Sequence, residues 1–200
     1  MSTITTTPTT ADRDRARCCG TSVGARIRRW TGQQWEYLLI GRAWFPLGWA
    51  PIAGHVYDHH ATPEDAVKTE VLEEGGLTVV SITLVDEVRL PNLCQAPPAH
   101  MPGHYWWVYD VEVTGTLRPD AVETTGARWV TGDELQSLAD GTIEHALMGG
   151  HARDQDPTDL EAVWVELLTR LGDVSANTTD RTAVERLYST PPDQEWIPTA

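Results

Sequence analysis

Basic residues are scarce in this 200-residue chain: 15 lysines and arginines stand against 29 acids, for a net charge of -14. Such a surface repels nucleic-acid backbone and anionic membrane over most of its area, which disfavours a polymeric nucleic-acid partner. Cysteine is nearly absent as well. Cys18, Cys19 and Cys94 offer no disulfide framework and no Cys-x-x-Cys metal spacing, and are read as the reduced thiols of a cytoplasmic protein. No apolar run approaches the roughly 20 residues of a membrane-spanning helix. The Thr-rich start lacks the apolar stretch of a signal peptide. An acidic protein that handles an anionic small molecule needs a positive element at its site, and a bound divalent metal is the usual one.

Against these absences, one catalytic domain is expected over residues 18–172, with tails at 1–17 and 173–200. The stretches 22–30 and 35–40, rich in β-branched and aromatic residues and separated by Thr31-Gly32-Gln33-Gln34, predict a hairpin. Residues 44–53, with two prolines and a glycine, read as a strand end or active-site loop. Strands are expected at 77–90, 104–113 and 127–130. The loop 91–103, with four prolines, is long enough to suggest a substrate role. Helices are predicted after capping boxes at Thr131/Glu134 and Thr158/Glu161, the second carrying a core stripe of Leu160, Val163, Trp164, Leu167, Leu168 and Leu171. One helical turn is expected in the C-terminal tail, around residues 183–188.

The most informative segment is residues 62–77. Thr62 suits an N-cap, Pro63 the first helical position and Gly75-Gly76 the stop. Glu70, Glu73 and Glu74 fall at i, i+3 and i+4, so their carboxylates share one face within about 6 Å. Each like-charge pair costs about 0.2–0.5 kcal/mol, and the last two also oppose the helix dipole. Lys68 lies on a different face and does not relieve them. A divalent cation that prefers carboxylate oxygens accounts for a cluster that otherwise weakens its own helix.

These residues resemble the Nudix hydrolases, whose signature is Gly, five residues, Glu, seven residues, then Arg-Glu-apolar-x-Glu-Glu-x-Gly-apolar. Thr69-Glu70-Val71-Leu72-Glu73-Glu74-Gly75-Gly76-Leu77 matches the second half everywhere but at the arginine, replaced by Thr69. In the first half Gly54 fits the opening glycine, the loop through Tyr57-Asp58-His59-His60 is one residue longer than the pattern, and no glutamate fills the next slot. The resemblance implies an α/β fold of the Nudix type, an α/β/α sandwich with a mixed sheet flanked by helices. It implies a metal-dependent hydrolase, a pyrophosphohydrolase cleaving a diphosphate linkage in a nucleoside diphosphate derivative or related small molecule. Glu70, Glu73, Glu74 and the backbone carbonyl of Ala53 become the ligands of Mg²⁺ or Mn²⁺. Glu123 takes the place of a loop glutamate that binds metal or serves as general base. A homodimer is compatible with this reading.

Arg42, the base preceding the 44–53 segment, is the candidate phosphate contact. Trp44 or Trp49 is a candidate to stack on a base, worth about 1–3 kcal/mol. Gly54 and His55 complete the expected substrate contacts, and Asp58 is considered as a partial stand-in for the missing loop glutamate. His55, His59 and His60 invite a zinc reading, but His-x3-His on a loop without a nearby cysteine is better read as a polar substrate loop. The rival function is a catalytically weak or silent Nudix-fold protein that binds a nucleotide or partner, suggested by Thr69. A prenyl-diphosphate isomerase is disfavoured because no cysteine stands near the box, Cys94 being the one to watch.

Overall fold

The computed structural model describes residues 18–96 and 103–191. The expected tail at 1–17, the middle of the proline-rich loop and residues 192–200 lie outside the described residues. Seven strands form one mixed sheet: β1 (Thr21–Trp30), β2 (Trp35–Arg42), β3 (Trp49–Ala50), β4 (Ile52–His55), β5 (Thr78–Leu90), β6 (His104–Thr114) and β7 (Thr124–Thr131). β1 and β2 make the expected hairpin, with Trp30 opposite Trp35. The first part of β1 then lies between β4, antiparallel, and β6, parallel. β6 continues into a long antiparallel pair with β5, while β2 pairs with β3 and β7.

Alternation along the strands gives the sheet two apolar faces. Val23, Ala25, Ile27, Leu38, Ile40, Tyr109 and Val111 meet Ala66, Val67 and Val71 of α1 (Pro63–Gly75). Leu39, Trp106, Val108 and Val130 meet the opposite layer, made by α2 (Gly132–Leu147), α3 (Ala162–Arg170) and α4 (Thr178–Ser189). The α/β/α sandwich with a mixed sheet is therefore borne out. At its centre Trp164 is fully buried, with its ring against Gly24, where a β-carbon would collide with the indole. Truncating such a side chain costs about 3–5 kcal/mol.

Two helix expectations need correction. The capping box at Thr131/Glu134 forms, but the one at Thr158/Glu161 does not: Thr158 bonds to Asp156 and α3 begins only at Ala162. Trp49 explains this, since its amide donates to the Asp159 carbonyl (2.7 Å) and its carbonyl accepts from the Glu161 amide (2.8 Å). Those bonds tie residues 159–161 to Trp49 where the first turn of the helix was expected. The second correction is α4, expected as one turn in a tail. It is a 12-residue helix with a capping box between Asn177 and Asp180, and Val184, Leu187 and Tyr188 are buried against the rest of that layer. The approach to α4 is fixed by the buried Arg26 guanidinium, which pairs with Asp110 on β6 and with Asp173 (2.6 Å).

Candidate active site

α1 is shaped by the signals its sequence carries. The Thr62 hydroxyl accepts from the Asp65 amide (3.1 Å), Pro63 opens the helix, and Gly76 closes it at φ 64 with its amide on the Leu72 carbonyl. Val67 and Val71 fix the buried face. That rotation grades the three acids from interior to solvent: Glu74 is buried, Glu70 half-buried and Glu73 exposed.

Opposite them runs β4. Glu70 lies directly over Gly54, where any β-carbon would overlap its carboxylate, so the glycine is required by this close approach. The Ala53 amide donates to Glu74 (3.3 Å), and His60 stands 4.0 Å from Glu70. Burial, followed by repulsion from Glu73 and Glu123, pushes the Glu70 carboxyl up to about 7. Burial, followed by repulsion from Glu70, pushes Glu74 up to about 8 against the opposing pull of Arg42.

The acids face a cavity of about 560 Å³. Of the residues expected to serve the site, Glu70, Glu73, Glu74, Glu123, Arg42, Trp44, Ala53, Gly54 and His55 all line it. Trp49 does not line it, and is corrected: its ring lies under the Arg128 guanidinium at 4.3 Å, while its main chain pairs with residues 159–161. Asp58 also lines the cavity, and its carboxylate pairs with His55 Nδ1 at 2.8 Å. Thr69 does not orient the acids, since its hydroxyl donates back to the Asp65 carbonyl (3.0 Å).

Sequence reasoning missed Glu161, Asn92 and His104, which also line the cavity. Glu161 is buried, its carboxyl is pushed up by that burial, and it faces Arg42 at 3.5 Å. Its expected role was in a capping box with Thr158, whereas the pairing of Trp49 with 159–161 holds it beside Arg42.

The family model described as the NUDIX domain matches residues 20–149 of this chain. The chain belongs to the Nudix family. Membership bears out the resemblance and the general assignment as a Nudix pyrophosphohydrolase. Solved structures similar to this Nudix chain include the NUDIX domain of Shewanella oneidensis NrtR complexed with ADP ribose. That match has 15% identity, covers 63% of this chain and 80% of the other, and has a TM-score of 0.49. Another is a C. elegans Ap4A hydrolase binary complex, at 19% identity, 64% and 92% coverage and TM-score 0.45. A third is the MutT NUDIX hydrolase from Burkholderia pseudomallei, at 26% identity, 56% and 83% coverage and TM-score 0.46. No curated protein matches the chain. Among the described residues no helix is long and apolar enough to cross a membrane.

The donor set suits a hard divalent cation. Glu70, Glu73 and Glu74 present only carboxylate oxygens on one helix face, and two of these carboxyls are held close to neutrality by burial and mutual repulsion. A cation among them removes both penalties.

Proposed function

We propose that this Nudix protein hydrolyses a diphosphate linkage in a nucleoside diphosphate derivative or related small molecule, in the cytoplasm and with Mg²⁺ or Mn²⁺. Glu70, Glu73, Glu74 and the carbonyl of Ala53 would hold the metal, which when bound supplies charge neutralisation of the diphosphate and a polarised water. The observation that carries this reading is the burial of Glu70 and Glu74 around Gly54, an arrangement that opposes their own ionisation.

The remaining roles follow from position in the cavity. Arg42 offers its guanidinium to a phosphate oxygen, held by the Pro46 carbonyl (2.7 Å) and by Glu161. Trp44, 57% exposed at the mouth, offers an aromatic face to a base. Glu123 stands across the cavity near enough to repel Glu70 and Glu74, and is the proton acceptor for the attacking water. Its loop is fixed by the Asp120 carboxylate, which accepts from the Glu123 amide (2.9 Å).

The test is a panel of diphosphate compounds with Mg²⁺ or Mn²⁺, read by product identity. Metal-dependent release of a monophosphate that disappears in Glu74→Gln is expected. Nucleotide binding without turnover across the panel would overturn hydrolysis. It would favour the second reading, a silent Nudix domain, for which the back-bonded Thr69 is the specific observation.

A further inference from the structure

Four side chains that sequence spacing scatters meet beside the cavity, which His55, Cys94 and His104 line, with Cys18 and His104 buried. The Sγ atoms of Cys18 and Cys94 and ring nitrogens of His55 and His104 all lie within 4.8 Å of one another. Strand register brings them together. β1 pairs with β4 so that Ser22 faces His55, and β1 runs parallel to β6 so that Thr21 faces Tyr105. A further bond from the Tyr105 amide to the Gly20 carbonyl (2.9 Å) draws Cys18 toward His104. Cys94 follows β5, whose last pair is Leu90 with His104.

The geometry points to a zinc site, formed by Cys18, His55, Cys94 and His104 and separate from the carboxylate site. This inference does not rest on the proposed hydrolysis. Two thiolates and two imidazoles are soft and borderline donors, which select zinc over the hard cations that suit glutamate oxygens. A tetrahedron with bonds of about 2.0–2.3 Å has edges of about 3.3–3.8 Å. The Cys18 thiol lies 3.4 Å from His55 Nε2 and 2.9 Å from His104 Nε2, so occupancy needs shifts of under about an ångström.

Both histidines carry the outer support that metal-binding imidazoles use. His104 Nδ1 is 3.0 Å from the Asn92 carbonyl, and His55 Nδ1 is 2.8 Å from the Asp58 carboxylate. Each partner is an acceptor, so the Nδ1 nitrogens carry the protons and the Nε2 lone pairs face the thiols. The imidazoles also stack, with centroids 5.4 Å apart and planes 9° from parallel. Binding sends the two thiol protons to solvent and leaves a neutral site of one dication and two thiolates. With four protein ligands the site is closed, so its work is structural. It staples the cavity wall at residues 91–96 to the ends of β1, β4 and β6.

A second grouping shares His55: Cys19, His55 and Asp58. It offers three ligands instead of four, is more exposed, and its thiol is engaged by the Thr21 hydroxyl at 3.0 Å.

The experiment uses the full chain produced with zinc, dialysed, and read for metal by mass spectrometry. We expect about one zinc per chain. Content should fall at least about tenfold in Cys18→Ser and in Cys94→Ser, and stay unchanged in Cys19→Ser and Glu73→Gln. Because a cysteine variant can fail by misfolding, the unsubstituted chain is also stripped and loaded with Co²⁺. Tetrahedral d–d bands with thiolate-to-cobalt charge transfer, displaced by zinc, are expected. Three results would overturn the site: neither zinc nor a cobalt spectrum in the unsubstituted chain; a Cys18–Cys94 disulfide seen as an intact mass short by two hydrogens; or zinc retained in Cys94→Ser but lost in Cys19→Ser. Loss of turnover in Glu73→Gln with zinc retained would separate this site from the carboxylate one.

Discussion

Two groups of potential ligands share one cavity and differ in almost every respect. The first takes its side chains from a single helix, uses only oxygens, and has its three acids within five residues of sequence. The second uses sulfur and nitrogen, draws on three strand ends and a loop, and joins residues 37 and 86 positions apart. The helical group offers oxygens to an exchangeable cation in an open cavity. The dispersed group closes on itself, each histidine backed by its own acceptor. A site built on one helix can form with that helix, whereas one built on strand register exists only once the sheet has formed.

Breaking the helical group should give the largest effect. Glu74→Gln removes a ligand and a charge at the buried end of the row, so kcat/KM with Mg²⁺ should fall about 10³-fold, equivalent to several kcal/mol of lost charge stabilisation. Steady-state kinetics would check this, and a loss of under about tenfold would contradict it. Next comes Gly54→Ala. Its methyl group would lie 1.8 Å from Glu70 Oε1 and must displace that carboxylate by more than about an ångström, enough for a loss of at least about 10²-fold while the fold survives, as circular dichroism would verify.

The dispersed group should respond to Asp58→Asn, which weakens the acceptor behind His55. Zinc affinity measured by competition with a chelator should drop about 10–100-fold. Glu74→Gln should leave that affinity where it was.

The smallest effect is on stability against pH, and it belongs to the helical group alone. Glu70 and Glu74 have folded-state values of about 7 and about 8, above the unfolded value of 4.5. Their contribution is therefore fully present below about pH 4.5 and lost as pH rises through 7 and 8. Metal-free protein should melt a few degrees lower at pH 8.5 than at pH 6. Added Mg²⁺ should recover more at the higher pH, since the ionised carboxylates are the form it binds. Equal Mg²⁺ stabilisation at both values would contradict the assignment.

The same contrast explains what could be read from the sequence. α1 was legible because Thr62, Pro63, Val67, Val71 and Gly76 act within one or two turns, and the acids inherit that face. The β1–β2 hairpin and the Thr131/Glu134 box were legible for the same reason. The Thr158/Glu161 box was an equally good local signal, but it lost to two backbone bonds from Trp49 that no nearby residue announces. Only the second half of α4 was expected, as one turn at 183–188, because its polar composition hid a short stripe of Val184, Leu187 and Tyr188, although Asn177 and Asp180 form a capping pair. The Cys and His ligands could not be found by spacing at all. Their proximity follows from the parallel register of β1 on β6, which a one-residue slip would destroy.

One hydrogen bond links α4 to the site although the helix contributes no residue to the cavity lining. The Tyr188 carbonyl accepts from the Leu93 amide at 3.0 Å, tying α4 to the cavity wall at residues 91–96. The wall of the chamber is thus steadied by a helix about 100 residues distant in sequence from the acids it faces.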